Sequence, residues 1–307
     1  MELQKEYPAK ILLFGEYTLM KGSAALSIPF REKTGSLKFL HVTENNFSGS
    51  HNDLKKFYTY LKNELPEKYQ DKLLLEQFKK DIEKGIVFKS DIPLEYGMGS
   101  SGALVASVYA RYSKDQQKEN IGLEELKDIF SAMESFFHGK SSGLDPLVSY
   151  LNRPVLIDEN GKITTPEPIN YFPENIPAFL IDSRQTGETQ PLVDYFIEQS
   201  KNPEFKYELN NNFIPLNRRC IDSWYKDDAN KFFNAAEKLS SLTLKYFKPM
   251  IPSSFMDIWE KGLKEKNYFL KLCGSGGGGM ILGFSMNPQK TKTELKNYSI
   301  YWFNNKE

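Results

Sequence analysis

Cysteine is almost missing from this chain. Only Cys220 and Cys273 occur among 307 residues, and histidine is limited to His41, His51 and His138. Two distant thiols make no disulfide framework, and three scattered imidazoles make no zinc cluster, so a reducing compartment is expected. An excess of charge of one sign is also missing. Lys plus Arg is 40, Asp plus Glu is 40, and the formal net charge is zero. No global field draws such a chain to nucleic acid or to an anionic membrane, and neither is expected as a partner. No apolar run reaches about 18 residues, the length of a membrane-spanning helix. Residues 1–7 are charged and unlike a signal peptide, and the expectation is a cytoplasmic protein. What is present is an ordinary globular composition, 40% apolar and 14% aromatic, too rich in Phe and Tyr for disorder. At 307 residues the chain exceeds what one hydrophobic core usually serves, and two domains are expected.

Hydrophobic patterning predicts strands at residues 10–14 and 24–28, joined by a turn near Lys21 and Gly22. Residues 53–85 are rich in Lys and Glu, with Leu54, Phe57, Tyr58 and Leu61 at three- and four-residue intervals, the pattern of amphipathic surface helices. A β-like run at 86–89 leads into residues 93–102, whose proline and glycines exclude regular structure, and 103–112 reads as a helix. A further helix is predicted over 123–137, with Leu126, Ile129, Phe130 and Met133 on one face, then a Gly- and Ser-rich turn through Asp145. Buried strands are expected at 154–158 and 178–182, and helices at 218–240 and 253–266. Strands at 268–273 and 280–284 flank the glycine-rich residues 274–279 in a hairpin-like arrangement. The proline-containing stretch 164–177 is the best place for a domain junction.

Strand, glycine-rich loop, helix is the order that suits a phosphate group. Gly97, Gly99 and Gly102 let backbone N–H groups approach phosphate oxygens, and Ser100 and Ser101 add hydroxyls. The N-terminus of a helix starting near Ser101 adds partial positive charge. The glycine spacing also fits the G-x-G-x-x-G of dinucleotide folds. In those folds, however, the strand runs almost directly into the glycines, whereas here Pro93, Leu94, Glu95 and Tyr96 intervene. Gly139-Lys140-Ser141 looks like the end of a Walker A loop, but that loop needs a glycine where Glu134 stands. The HRD and DFG signatures of protein kinases are absent. The bland alternative for residues 93–103 is a flexible surface loop ahead of a helix.

Three segments in order carry a family resemblance. PLEYGMGSSGA, residues 93–103, resembles the P-x-x-x-G-L-G-S-S-A-A motif of the GHMP kinases, with Met98 in place of Leu and Gly102 in place of Ala. PAKILLFGEYTLMKGSAAL, residues 8–26, is similar to the first motif of that family, and KLCGSGGGGMILGF, residues 271–284, to its third. The resemblance implies an α+β protein with the two-domain GHMP kinase fold. An N-terminal ribosomal-protein-like, ATP-binding domain would cover residues 1–172 and a C-terminal ferredoxin-like domain residues 173–307, with the active site in the cleft between them. It further implies an ATP- and Mg²⁺-dependent kinase for the hydroxyl of a small molecule, acting as a monomer or homodimer.

Carried over by motif, the resemblance also implies roles. HGKSSGLDPLVS, residues 138–149, is similar to the segment bearing the catalytic carboxylate in the mevalonate kinase branch, which falls on Asp145. Glu134, eleven residues earlier, falls on a Mg²⁺ ligand, with Ser100 or Ser101 supplying a hydroxyl beside it. Lys10 falls on the cation next to the aspartate, where it would hold the acceptor oxygen. Pro93, Gly97, Gly99, Ser100, Ser101 and Gly102 would hold the ATP phosphates, backed by Gly276 and Gly277. Phosphoryl transfer asks a protein mainly for positioning and charge neutralisation. Mg²⁺ prefers hard oxygen ligands and keeps several waters, so one carboxylate, one hydroxyl and ATP are a sufficient set. In isolation Lys10 would read as a strand-edge lysine, Asp145 as a turn aspartate and Glu134 as part of a solvated helix face. Their joint occurrence argues for chemistry.

Two acceptors suit these motifs. Mevalonate is favoured by residues 138–149, by the four consecutive glycines of the third motif, and by RQTGETQPLV, residues 184–193, which puts Thr189 on the threonine that contacts mevalonate. Glu16 and Tyr17 are the acceptor-side residues of the first motif. Phosphomevalonate is favoured by Tyr17, where mevalonate kinases carry histidine, and by the wording of residues 96–102; Gln190 also replaces a usual arginine. Mevalonate is the first choice, which would make the reaction a step of isoprenoid precursor synthesis. Lys10 argues against galactokinases, which place an arginine there. A non-catalytic sensor of the same fold is the alternative from another class.

Overall fold

The computed structural model describes residues 5–39, 48–114, 121–166 and 172–303. His41, and residues 167–171 within the stretch read as a domain junction, lie outside them. The strands are β1 (Tyr7–Phe14), β2 (Ala25–Phe39), β3 (Ile86–Ser90), β4 (Val155–Ile157), β5 (Ile163–Thr164), β6 (Ala178–Asp182), β7 (Tyr268–Leu272), β8 (Met280–Ser285) and β9 (Ile300–Trp302). The helices are α1 (Ser48–Asn63), α2 (Glu67–Gln70), α3 (Leu75–Glu83), α4 (Ser100–Tyr112), α5 (Leu123–His138), α6 (Leu144–Leu151), α7 (Thr189–Gln199), α8 (Pro203–Glu208), α9 (Ile214–Tyr225), α10 (Ala229–Tyr246), α11 (Met256–Glu265) and α12 (Pro288–Glu294). The strands form a five-stranded sheet in the order β1-β2-β4-β5, with β3 paired to β2, and a four-stranded sheet in the order β7-β8-β6-β9. Among the described residues no helix is long and apolar enough to cross a membrane.

The chain divides into two compact units, each assembled from separate stretches. The first holds Met1–Lys10, Ile28–Pro93 and Gly99–Val155; the second holds Ile11–Ser27, Leu94–Met98 and Leu156–Glu307. In the first, β2 and β3 run antiparallel with Gly35 opposite Ser90 and Phe39 opposite Ile86. The amphipathic spacing of residues 53–85 is realised in α1 and α3, which bury Leu54, Phe57, Leu61, Phe78 and Ile82. Helix α4 is buried almost all round, as its run of small and apolar residues allows. Its Tyr109 meets Phe130 of α5 and Tyr150 of α6 edge-on, with ring centroids 5.1 and 5.6 Å apart. Burying a side chain of this size contributes roughly 2–3 kcal/mol. Gly102 brings α4 unusually near α6: a Cβ there would lie 2.8 Å from the backbone carbon of Asp145 and 2.8 Å from the nitrogen of Pro146.

In the second unit β8 is the inner strand between β7 and β6, with Leu282 facing Leu180 of β6 and Lys271 of β7. Its Phe284 packs on Phe14, Trp224 and Phe232 at centroid distances of 5.7, 5.9 and 4.8 Å. The predicted hairpin is present as β7 and β8, paired antiparallel.

Three expectations need correction. The single helix predicted over 218–240 is two, α9 and α10. Asp227 takes φ 50°, and Asp228 starts α10 by accepting from the Lys231 N–H at 3.1 Å, a polar cap that overrides continuous hydrophobic periodicity. Residues 253–266 begin with a 3₁₀ turn, Ser253–Phe255, before α11. The turn expected through Asp145 ends sooner, because α6 starts at Leu144 and Asp145 lies in its first turn.

Candidate active site

Strand β1 delivers Lys10 to a buried position, where its Nζ lies 3.1 Å from Asp145 Oδ2. The aspartate side chain keeps 29% of its surface exposed and the lysine 8%, so the pair is anchored on one side and reachable on the other. The first turn of a helix favours a carboxylate through the partial positive charge of its free N–H groups. Gly99 precedes α4 with φ 73°, and a Cβ on it would press within 2.9 Å of Lys10 Cγ and 3.4 Å of Asp145 Oδ2. Only glycine takes this backbone at this distance without strain, so the loop can pass directly over the pair. Ser100 then opens α4, and the N–H groups of that first turn have no partners within the helix. Pro93 is half-buried after β3.

Glu134 projects from α5 and is buried. Ser101 Oγ donates to its Oε1 at 3.1 Å, and Ser141 Oγ donates to its Oε2. His138 Nε2 lies 3.0 Å from Ser101 Oγ; with the serine proton directed at Glu134, the imidazole is the donor. Burial, reinforced by the nearby charge of Asp145, pushes the Glu134 carboxyl up to about 7, against the opposing effects of Ser141, Ser101 and Lys10. A buried carboxylate beside a second carboxylate is one that could hold a cation. Of the two serines left open by the motif, Ser101 is the one joined to Glu134.

The second unit carries the other candidates. Glu16 forms a buried ion pair with Lys271 of β7, and the Lys271 ammonium also lies 5.6 Å from the centre of the Phe14 ring. Tyr17 is buried, and its hydroxyl donates to the Ser275 carbonyl at 2.6 Å. Burial, with the Glu16 charge adding to it, pushes the phenol well above its usual range. Thr189 begins α7 with its Oγ1 3.1 Å from Ser275 Oγ, while Gln190 donates to Asp194 at 2.8 Å. Gly97 lies against the Cys273 carbonyl, 3.1 Å from where its Cβ would be. Gly276 and Gly277 have φ 82° and 76°, and a Cβ would come within 2.6 Å of the Met250 carbonyl and 2.8 Å of a Leu192 methyl. The Gly277 N–H already donates to the Met250 carbonyl at 2.7 Å. Close packing thus accounts for these two glycines within the unit.

Sequence reasoning did not single out His138, Ser141, Lys271 or Ser275. All four stand inside quoted motif strings, yet nothing in a string tells which side chains within it meet.

Residues 54–153 match the family model described as the GHMP kinases N terminal domain. This matched stretch, about a third of the 307 residues, is similar to the GHMP kinase N-terminal domain. The mevalonate kinase of Pyrococcus horikoshii is 26% identical over 208 residues, covering 61% of this chain. The matched stretch spans 58% of that relative's length. Among solved structures, a mevalonate kinase from L. major in complex with R-mevalonate shares the GHMP kinase fold at TM-score 0.67 and 17% identity, covering 98% of this chain and 95% of that one. The phosphomevalonate kinase of Streptococcus pneumoniae does so at TM-score 0.65 and 13% identity, covering 98% of each chain.

Proposed function

We propose that this chain is a GHMP kinase that transfers the γ-phosphoryl group of ATP to the hydroxyl of a small molecule, with mevalonate as acceptor and 5-phosphomevalonate as product. The observation that carries the reading is the contact of Lys10 with Asp145 directly beneath the Gly99 backbone. A base for a hydroxyl and a cradle for phosphate meet there, which a pure binding module does not need.

Glu134 and Ser101 fit a divalent cation, since both offer hard oxygens and the carboxylate is short of positive charge. Among the described residues no three His, Cys, Asp or Glu are grouped to hold a metal ion alone, so phosphate oxygens and water would complete the shell. Bound there, Mg²⁺ supplies neutralisation of phosphate charge. In this reading Ser141 and His138 hold Glu134 and Ser101 in orientation. Asp145 takes the proton of the acceptor hydroxyl, and Lys10 steadies the carboxylate and the oxygen that becomes negative. The first turn of α4 receives phosphate oxygens on its free N–H groups. A cytoplasmic setting suits the two free, buried cysteines, Cys220 and Cys273.

Mevalonate as acceptor is supported by the curated relatives bearing the name mevalonate kinase and by Thr189. Phosphomevalonate is the second reading, and Tyr17 is the observation that favours it, because it stands where the first motif of mevalonate kinases carries histidine. The test is ADP release from Mg-ATP with each acceptor in turn. We expect a higher kcat/KM for mevalonate; turnover of phosphomevalonate alone would replace the first reading with the second. Binding of Mg-ATP with no turnover of either would leave a sensor.

A further inference from the structure

Tyr17, Ser275 and Thr189 form a chain of contacts within the second unit. Tyr17 has φ 59° and ψ −40°, a costly backbone for a residue with a side chain, kept only where the surroundings enforce it. The enforcement is visible: the ring packs against Phe196 and Phe247 at 4.9 and 5.6 Å, and the hydroxyl holds the Ser275 carbonyl at 2.6 Å. Ser275 stands between Gly274 and Gly276, at φ 89° and 82°, a left-handed backbone that turns the chain sharply on either side of it. Its Oγ lies 3.1 Å from Thr189 Oγ1. Thr189 is exposed at the start of α7, and the preceding Glu188 makes no side-chain cap bond.

We propose that Ser275 is a positioning residue for the acceptor: Tyr17 pins its carbonyl, and its hydroxyl sets the rotamer of Thr189. The tyrosine of the first motif then acts on acceptor recognition through the third motif, without touching the acceptor itself. The inference rests on the reading of Thr189 as an acceptor contact.

The experiment is steady-state kinetics of the full chain, with whichever of mevalonate and phosphomevalonate the unaltered protein turns over. The variants are Ser275→Ala, Thr189→Val, the two combined, and Tyr17→Phe. Ser275→Ala should raise the acceptor KM about five-fold, the worth of one hydrogen bond. The KM for Mg-ATP and the thermal midpoint should stay unchanged. Thr189→Val should raise the acceptor KM further, and the double variant should match Thr189→Val alone, because Ser275 acts only through Thr189. Tyr17→Phe, which keeps the ring, should resemble Ser275→Ala; if it does not fold, the serine and threonine series decides. A full Ser275→Ala effect persisting in the Thr189→Val background, or an equal rise in the Mg-ATP KM, would overturn the proposal. An impaired Thr189→Val with an unaffected Ser275→Ala would overturn it while leaving the acceptor reading intact. An unaffected Thr189→Val, or no turnover of either acceptor, would remove that reading and the proposal together.

Discussion

Asp145 and Glu134 are both carboxylates of the first unit, and their surroundings divide their tasks. Asp145 is partly exposed and paired with an ammonium, so it can meet an acceptor hydroxyl. Glu134 is buried and bound by two serine hydroxyls, so it can hold a charge in place but not reach out. Replacing Asp145 by Asn should lower kcat by about a thousand-fold while Mg-ATP still binds, as calorimetry would show; unaltered turnover would contradict its role. Glu134 makes a pH prediction. Burial pushes its carboxyl up to about 7 in the folded protein from the ordinary 4.5. Between those values the folded state binds more protons than the unfolded one, so stability falls as pH rises from 4.5 to 7 and the cost is complete above 7. The effect is on the order of a few kcal/mol. In metal-free buffer, thermal midpoints of Glu134→Gln should gain on those of the unaltered protein between pH 5 and pH 8. A difference independent of pH would contradict the assignment.

At the scale of elements, the site depends on how near α4 comes to α6. The motif alanine is Gly102 here, and the space for its methyl is filled by the backbone of Asp145 and Pro146. Gly102→Ala gains about 1 kcal/mol of helix propensity but incurs overpacking of about 1–3 kcal/mol, and the strain falls on Asp145, the residue proposed to act as base. We expect a lower thermal midpoint and a lower kcat together; a stabilised variant of full activity would contradict this packing. Much of this layer was legible beforehand. The periodicity of Leu126, Ile129, Phe130 and Met133 located α5, and proline and glycine at 93–102 marked the loop. Less legible were features decided by distant partners or by a single polar cap. Asp228 divides α9 from α10 with its side-chain cap, a signal weaker than the apolar pattern running past it. The motif around Thr189 points to a substrate contact and not to a helix, although Thr189–Gln199 is helical. The bond from Tyr17 to Ser275 joins residues 258 positions apart, and the Glu16–Lys271 pair likewise unites the first and third motifs. Local patterns hold no information on such pairings.

For the whole molecule, the resemblance of short motifs proved more informative than composition. Zero net charge and scarce cysteine are compatible with many enzymes. The fold narrows the range without choosing the acceptor, since mevalonate kinase and phosphomevalonate kinase structures share it at similar TM-scores. A ligand that binds only the folded state raises its stability by about 2.7 kcal/mol at roughly a hundred times its Kd. Mg-ATP should therefore raise the thermal midpoint by several degrees, and EDTA should abolish most of that rise; an equal rise without Mg²⁺ would contradict a metal role for Glu134 and Ser101. The most direct measurement is transfer of radiolabel from γ-labelled ATP to mevalonate in the presence of Mg²⁺, with the product separated from ATP and phosphate. We predict label in 5-phosphomevalonate with the unaltered protein and almost none with Asp145→Asn. Label appearing only in inorganic phosphate, or in no product, would contradict the account.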